Sequence, residues 1–478
     1  MYEVSFLLFL KHLILNILVP FLPWLLFIWI FYGNKFKWFL LYLIAWFLWV
    51  WVVGFSLLNI QFIHFWVWIS EYFVVLWLLL LIFFLKVCIK KQKIKYYIQT
   101  LKVENIISPI KKSFLSLSIT EKAFTVVILV YTIYFVFISG MFDFNLPTYA
   151  VDSFLNWNNA TFNIYLDWWI KLFGEETEIL WKWRLWYPIQ MPTYKALILR
   201  FAWVSDIYVN MRQWLVFLFG LFFIFSVTFE KTKNVFKSIL PIWLIISLPL
   251  MFFHAFEWYM DFPLIMYCVI LAWLFYQYLE TKDFDHLSLG LLFWFIASNI
   301  KNDGLIVFFP WLLMALFIVL CLNKKLKFTI KWFFKDRNNL WKSIWYFIYF
   351  LIPFVIVKII NWFGFNQAAY RKSWMWWADK AHREIFPFFK QIFLKEDNYN
   401  LILIILLLIL LAWFMKKRKS YNDALFLLAW LITFLILIAV FLFTINYNFL
   451  LDQTAVNRVF MMCFIIVLAF SWFLIDEK

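Results

Sequence analysis

A chain of 478 residues that is 66% hydrophobic and 25% aromatic has too much apolar surface to hide in a water-soluble core, and its formal net charge of +16 makes it strongly basic. Eight scattered glycines cannot build the Gly-rich phosphate cradles of nucleotide-binding folds. The four cysteines, Cys88, Cys268, Cys321 and Cys463, stand singly in or beside apolar runs, which excludes a CxxC or Cys/His framework. What remains is an all-α polytopic membrane protein.

Apolar runs of about 20 residues, the length that crosses a bilayer, begin near the start of the chain. In order they predict spans over 6–32, 38–58, 63–85, 123–141, 211–229, 239–256, 260–279, 287–300, 305–322, 344–363, 401–415, 424–444 and 459–474, about 13 helices in all. Lysines gather in alternate connections: Lys35 and Lys37, Lys86 through Lys122, Lys231 through Lys237, Lys324 through Lys342, and Lys416 through Lys419. If every span crosses, all of these fall on one side, which the positive-inside rule assigns to the cytoplasm. The N-terminus, the 142–210 loop, the turns at 256–260 and 301–304, the 364–400 loop and the 446–458 turn then share the outer face. Lysine loops facing anionic lipid account for the net charge, so no nucleic-acid partner is needed.

Three segments organise the chain. Residues 1–122 hold the first three spans and a Lys-rich loop. Residues 123–322 form a transmembrane core interrupted by the outer loop 142–210, which is rich in tryptophan and carries several carboxylates. Residues 323–478 hold the last helices and the loop 364–400, where Trp374, Trp376 and Trp377 interleave with Arg371, Lys372, Lys380 and Arg383 as in an amphipathic segment lying in the interface.

Four outer-face patches occur in series. They are Pro147-Thr148-Tyr149-Ala150-Val151-Asp152-Ser153-Phe154-Leu155-Asn156-Trp157, then Trp186-Tyr187-Pro188-Ile189-Gln190-Met191-Pro192, then Glu257-Trp258-Tyr259-Met260-Asp261-Phe262-Pro263-Leu264, and finally Asn299-Ile300-Lys301-Asn302-Asp303-Gly304-Leu305. Their order and sidedness resemble the membrane glycosyltransferases of the GT-C superfamily, such as protein O-mannosyltransferases and aminoarabinose transferases. The last patch has Asp303 where that family usually has Glu. The resemblance covers roughly 123–322, with an echo at Asn457-Arg458, and implies a GT-C-like fold with outer-face juxtamembrane helices in the first long loop. It also implies an enzyme of the cell (plasma) membrane that moves a sugar from a polyprenyl-phosphate donor to a glycan, lipid or protein acceptor on the extracytoplasmic face.

Such a transfer needs a carboxylate to take the acceptor's proton and cations to hold the departing phosphate. Asp152 is the candidate base, its alternative being an N-cap on a loop helix; Asp143, nine residues earlier, could take the same part. Asp261 follows Glu257 by four residues and His254 by seven, so on a helix all three share a face. They could pair as acids, hold a divalent cation as cofactor, or simply sit near a helix dipole. Lys301 and Arg458 could bind donor phosphate or snorkel to the interface, Lys301 beside Asp303. Tyr187 belongs to the substrate-binding set that the resemblance implies. Failing Lys301 and Arg458, the phosphate site falls to Arg184, Lys195 and Arg200 of the first outer loop.

Two rival readings come from other classes. A lipid-linked glycan polymerase or ligase would rely on arginines and a histidine in a large outer loop, as Arg371, His382 and Arg383 allow. A polytopic transporter or flippase would be expected to place charges at mid-depth and to break its helices at Gly or Pro, whereas the carboxylates here cluster at one face.

Overall fold

The computed structural model describes residues 6–33, 69–89, 104–145, 158–167, 190–202, 211–248, 261–281, 283–301, 421–443 and 456–470, with Leu40, Leu43, Ile44, Trp46, Met251, Phe252, Ala255 and Gly304 between them. Among the described residues there is no strand. The helices in chain order are α1 (Phe6–Phe31), α2 (Ile69–Ile89), α3 (Glu104–Ser116), α4 (Ile119–Asn145), α5 (Asn159–Asp167), α6 (Gln190–Ala202), α7 (Met211–Thr232), α8 (Val235–Ile246), α9 (Asp261–Thr281), α10 (Phe284–Ile300), α11 (Tyr421–Phe443) and α12 (Val456–Ala469).

Five helical segments among the described residues, Leu7–Phe31, Tyr72–Ile89, Ile119–Phe142, Met211–Thr232 and Asp261–Thr281, are long and apolar enough to cross a membrane. The chain is a helical membrane protein. Its predicted spans at 305–322, 344–363 and 401–415, most of 38–58, and the loop 364–400 lie outside the described residues.

The predicted span 239–256 differs from the helix observed there. α8 starts earlier, where Asn234 caps it by accepting from the Lys237 amide at 3.0 Å, and it stops at Ile246. Leu248 closes a tighter turn onto the Ile245 carbonyl because the chain then meets Pro249, whose ring disfavours helical backbone in the residue before it.

The chain forms two compact units. The first comprises Met1–Glu178 and Pro188–Pro263, thus α1 to α8 and the first turn of α9. In it α2 and α4 are mostly bare, with Trp77 69% and Val127 64% exposed, as suits side chains that meet lipid tails rather than water. Just past α1 the Tyr32 and Gly33 amides both donate to the Ile28 carbonyl, and Gly33 takes a φ of +59°, which glycine adopts without steric cost. Lys86 of α2 donates to the Trp29 and Ile30 carbonyls, so one lysine satisfies two acceptors that the helix leaves open at its end. At the N-terminus of α4, Ser118 and Glu121 form a capping box, the Ser118 amide donating to the carboxylate at 2.9 Å and the Glu121 amide to the hydroxyl at 3.3 Å.

The second unit holds the rest of α9 with α10, α11 and α12. Trp430 of α11 donates its indole N–H to the Cys463 carbonyl of α12 at 2.8 Å, and Tyr276 of α9 donates to the Asp423 carboxylate at the head of α11 at 3.0 Å. Both contacts are buried, so each polar group enters the core with its partner.

Candidate functional site

The helix that organises the site is α6, which arises inside the first long loop and is buried from Tyr194 through Arg200. A loop helix at a membrane surface normally keeps a wet face. This one packs instead against α1, α2 and α5, taking two cations into the interior with it. Lys195, 3% exposed, donates from Nζ to Asn158 Oδ1 at 2.6 Å. Arg200 donates from Nη2 to the Ile164 and Tyr165 carbonyls at 3.2 and 2.6 Å, filling acceptors that α5 leaves open at its C-terminus, and its guanidinium lies 5.2 Å from the centre of the Tyr165 ring. Desolvation pulls the Arg200 pKa down to about 10, so it stays charged at neutral pH.

A third cation enters from α7. Arg212 is fully buried, with its guanidinium carbon 3.6 Å from the centre of the Tyr194 ring. Burial pushes the Tyr194 hydroxyl well above its usual range while the Arg212 charge works in the opposite direction, and among the described residues that hydroxyl has no hydrogen-bond partner. Gln213 beside it is fully buried as well. α1 supplies the neighbouring polar surface, with His12 and Asn16 buried one turn apart and the Asn16 amide 3.9 Å from the Met211 sulfur. Lys195, Arg200, Arg212, Gln213 and His12 make further contacts within the protein. A buried cation is costly unless hydrogen bonds or opposite charge compensate it, and the three around this short helix are held by contacts within the protein.

Acid-bearing helix ends reach the same end of unit 1. Trp214, two residues after Arg212, donates its indole N–H to the Val136 carbonyl of α4 at 2.8 Å, one turn before Gly140 and two before Asp143. Phe135 lies tilted against Phe217 with centroids 5.6 Å apart, and Phe217 in turn lies 5.1 Å from Phe262, beside buried Asp261 at the head of α9. The helices that carry Asp143 and Arg212 and the head of α9 with Asp261 are thus linked through these rings.

The other sequence-derived candidates divide between the second unit and residues or side chains that are not described. Lys301 is the half-buried C-cap of α10, its amide donating to the Ala297 carbonyl at 3.2 Å, and Arg458 lies in the first turn of α12; both belong to the second unit. The side chains of Asp143 and Arg458, and all of Asp152, Tyr187, His254, Glu257 and Asp303, lie outside the described residues. Among the described residues no three His, Cys, Asp or Glu side chains gather as a metal site. The sequence reading missed Arg212 because it opens an apolar run, and His12 with Asn16 because the first spans carried no motif. A signal was present in both cases, namely polar residues inside hydrocarbon-length segments.

The chain matches no known family model, no curated protein and no solved structure.

Proposed function

We propose that the protein is a membrane glycosyltransferase that moves a sugar from a polyprenyl-phosphate donor to a hydroxyl acceptor at the extracytoplasmic face of the cell membrane. The observation that carries this reading is the buried set Lys195, Arg200 and Arg212, placed in the same unit as the helix ends of Asp143 and Asp261. The acceptor oxygen would bond to the anomeric carbon as the bond from that carbon to the donor phosphate oxygen breaks. Its proton would pass to a carboxylate, Asp152 or Asp143, and the charge left on the lipid phosphate would be held by Lys195 and Arg212. Arg200 is tied to the end of α5 and serves to hold α6 in place. Lys301 and Arg458 are the alternative cations for the donor phosphate, in place of Lys195 and Arg212, with Tyr187, Glu257 and Asp303 as the substrate contacts that the resemblance implies. His254, Glu257 and Asp261 are the residues that would hold a divalent cation.

The test is binding of a polyprenyl phosphate to the purified full chain. Arg212→Gln and Lys195→Gln should each weaken it by about 1.5–3 kcal/mol, the scale of a charge-assisted hydrogen bond. Unchanged affinity in both variants, each still folded, would remove the physical basis of the reading. A second reading, a transporter or flippase for the same lipid phosphate, draws on His12 and Asn16 buried within a membrane-length helix. It predicts movement of the intact lipid-linked sugar without transfer, and a reconstituted assay that follows both products separates the two.

A further inference from the structure

Sulfur gathers inside the second unit. The Cys268 thiol of α9 lies 3.3 Å from the Met462 sulfur of α12, and the thiol of Cys463, the next residue along α12, is within electrostatic range of Cys268. All three side chains are buried, and neither cysteine is in a disulfide. The two thiols also share a level. Cys268 follows Asp261 at the head of α9 by seven residues, and Cys463 follows Val456 at the head of α12 by the same seven, so each stands roughly 10 Å along its helix. Both helix heads follow turns that the alternation of predicted spans puts on the outer face, so the sulfurs lie at one depth, about two turns in. α12 is held there by α11, because Trp430 donates its indole N–H to the Cys463 carbonyl at 2.8 Å. Rotating α12 to carry the thiol away would break a buried hydrogen bond.

A buried cysteine ordinarily serves as a small apolar side chain and needs no polar partner. Two thiols with a thioether between two helices make something more, a set of soft donors. Their surroundings narrow what such a set could take. From Leu264 to Leu274 on α9 and from Val459 to Phe470 on α12 every residue is buried and none is charged, so neither segment offers a carboxylate or an imidazole. Among the described residues no three His, Cys, Asp or Glu side chains gather. Calcium and magnesium require oxygen ligands, and structural zinc requires a fourth donor from nitrogen, oxygen or thiolate. Thiolate with thioether selects Cu(I), which binds at lower coordination than zinc. Charge points the same way. As the metal bonds to Cys268 Sγ the S–H bond gives its proton to solvent, no electron changes hands, and one thiolate with a monovalent ion and a neutral thioether leaves no net charge in a low-dielectric interior.

We propose that Cys268, Met462 and Cys463 form a binding site for a soft monovalent metal ion, Cu(I). The site is separate from the proposed sugar-transfer site and does not depend on that reading. The full chain is purified in detergent with C88S and C321S, which remove the remaining thiols, and titrated without oxygen with Cu(I) against a coloured Cu(I) chelator, and with Zn(II) against a zinc dye. One equivalent of Cu(I) should be withheld from the chelator while zinc stays with its dye, and X-ray absorption of the bound copper should show sulfur neighbours alone. C268A should abolish the retained equivalent, and C463A should lower the number of sulfur neighbours. M462L keeps the volume of the side chain and so the fold, yet should weaken Cu(I) by about 10-fold or more. It keeps the test open if C268A misfolds, and the same comparison in the chain with Cys88 and Cys321 intact does so if their replacement is not tolerated. Failure of the parent chain to withhold Cu(I), binding by M462L as tight as the parent's, zinc held as firmly as copper, or nitrogen or oxygen neighbours on the bound copper would each overturn the proposal.

Discussion

Gly140→Ala is a small change with a large expected effect. A Cβ built on Gly140 of α4 meets Trp214 of α7 at 2.9 Å from Nε1 and 3.1 Å from Cε2. Real Cβ atoms do not approach so closely, and a half-buried indole that donates to the Val136 carbonyl cannot give way without losing that bond. Loss of the hydrogen bond costs about 1 kcal/mol and the forced repacking about 1–3 kcal/mol, against a gain of about 0.5–1 kcal/mol because alanine favours helix over glycine. The net expectation is a destabilisation of about 1–3 kcal/mol, read as a lowered thermal or denaturant midpoint of the protein in detergent. Trp214→Phe alone removes the donor for about 1 kcal/mol, and Gly140→Ala in that background should cost less than in the parent, since the smaller ring leaves space. If Gly140→Ala proves as stable as the parent, or if the two changes simply add, the close contact between α4 and α7 is not what holds these helices. The same variant should also lower any donor binding, because Asp143 follows Gly140 by one turn and Arg212 precedes Trp214 by two residues.

Asp152→Asn and Asp143→Asn separate the two candidate bases: the true one should cut sugar transfer by roughly 10²-fold while lipid-phosphate binding persists, and the other should change little. Arg200→Met keeps the length of the side chain but strips two carbonyls at the end of α5 of their donor, so stability should fall by about 1–3 kcal/mol, seen as a lower unfolding midpoint. Reporter fusions after Lys112, Lys335 and Lys419 should all report the cytoplasm, and a single outward signal would break the alternation of spans.

Much of this architecture is legible from hydrocarbon length alone. α1, α7 and α9 occupy the predicted runs to within a few residues, since a membrane-length apolar run leaves the backbone one way to satisfy its amides. α8 was misplaced because Pro249 weighs more on backbone geometry than on average hydropathy. The site was legible only in part. Asp261 stands out as an acid at the edge of an apolar run, though its burial at the head of α9 does not show in the sequence. Tyr194 and Arg212 do not, because cation and ring lie on different helices and their meeting depends on how α6 and α7 pack, which no sequence period encodes. The burial of α6 was likewise invisible: the sequence names Lys195 and Arg200 as fallback phosphate ligands, but their burial depends on α1, α2 and α5 packing around them.

The end of α1 has a consequence for how the protein is made. Its last carbonyls, at Trp29 and Ile30, are satisfied by Lys86, a residue synthesised 57 and 56 positions later. While the ribosome has delivered only the first helix, those acceptors must be held by interfacial water, and the helix can still slide or tilt. Arrival of Lys86 removes that freedom, so α1 and α2 should leave the insertion machinery as a joined pair, with depth and rotation set together. A nascent chain arrested before Lys86 should leave α1 open to crosslinking with lipid or translocon, and one arrested well after it should show that exposure lost.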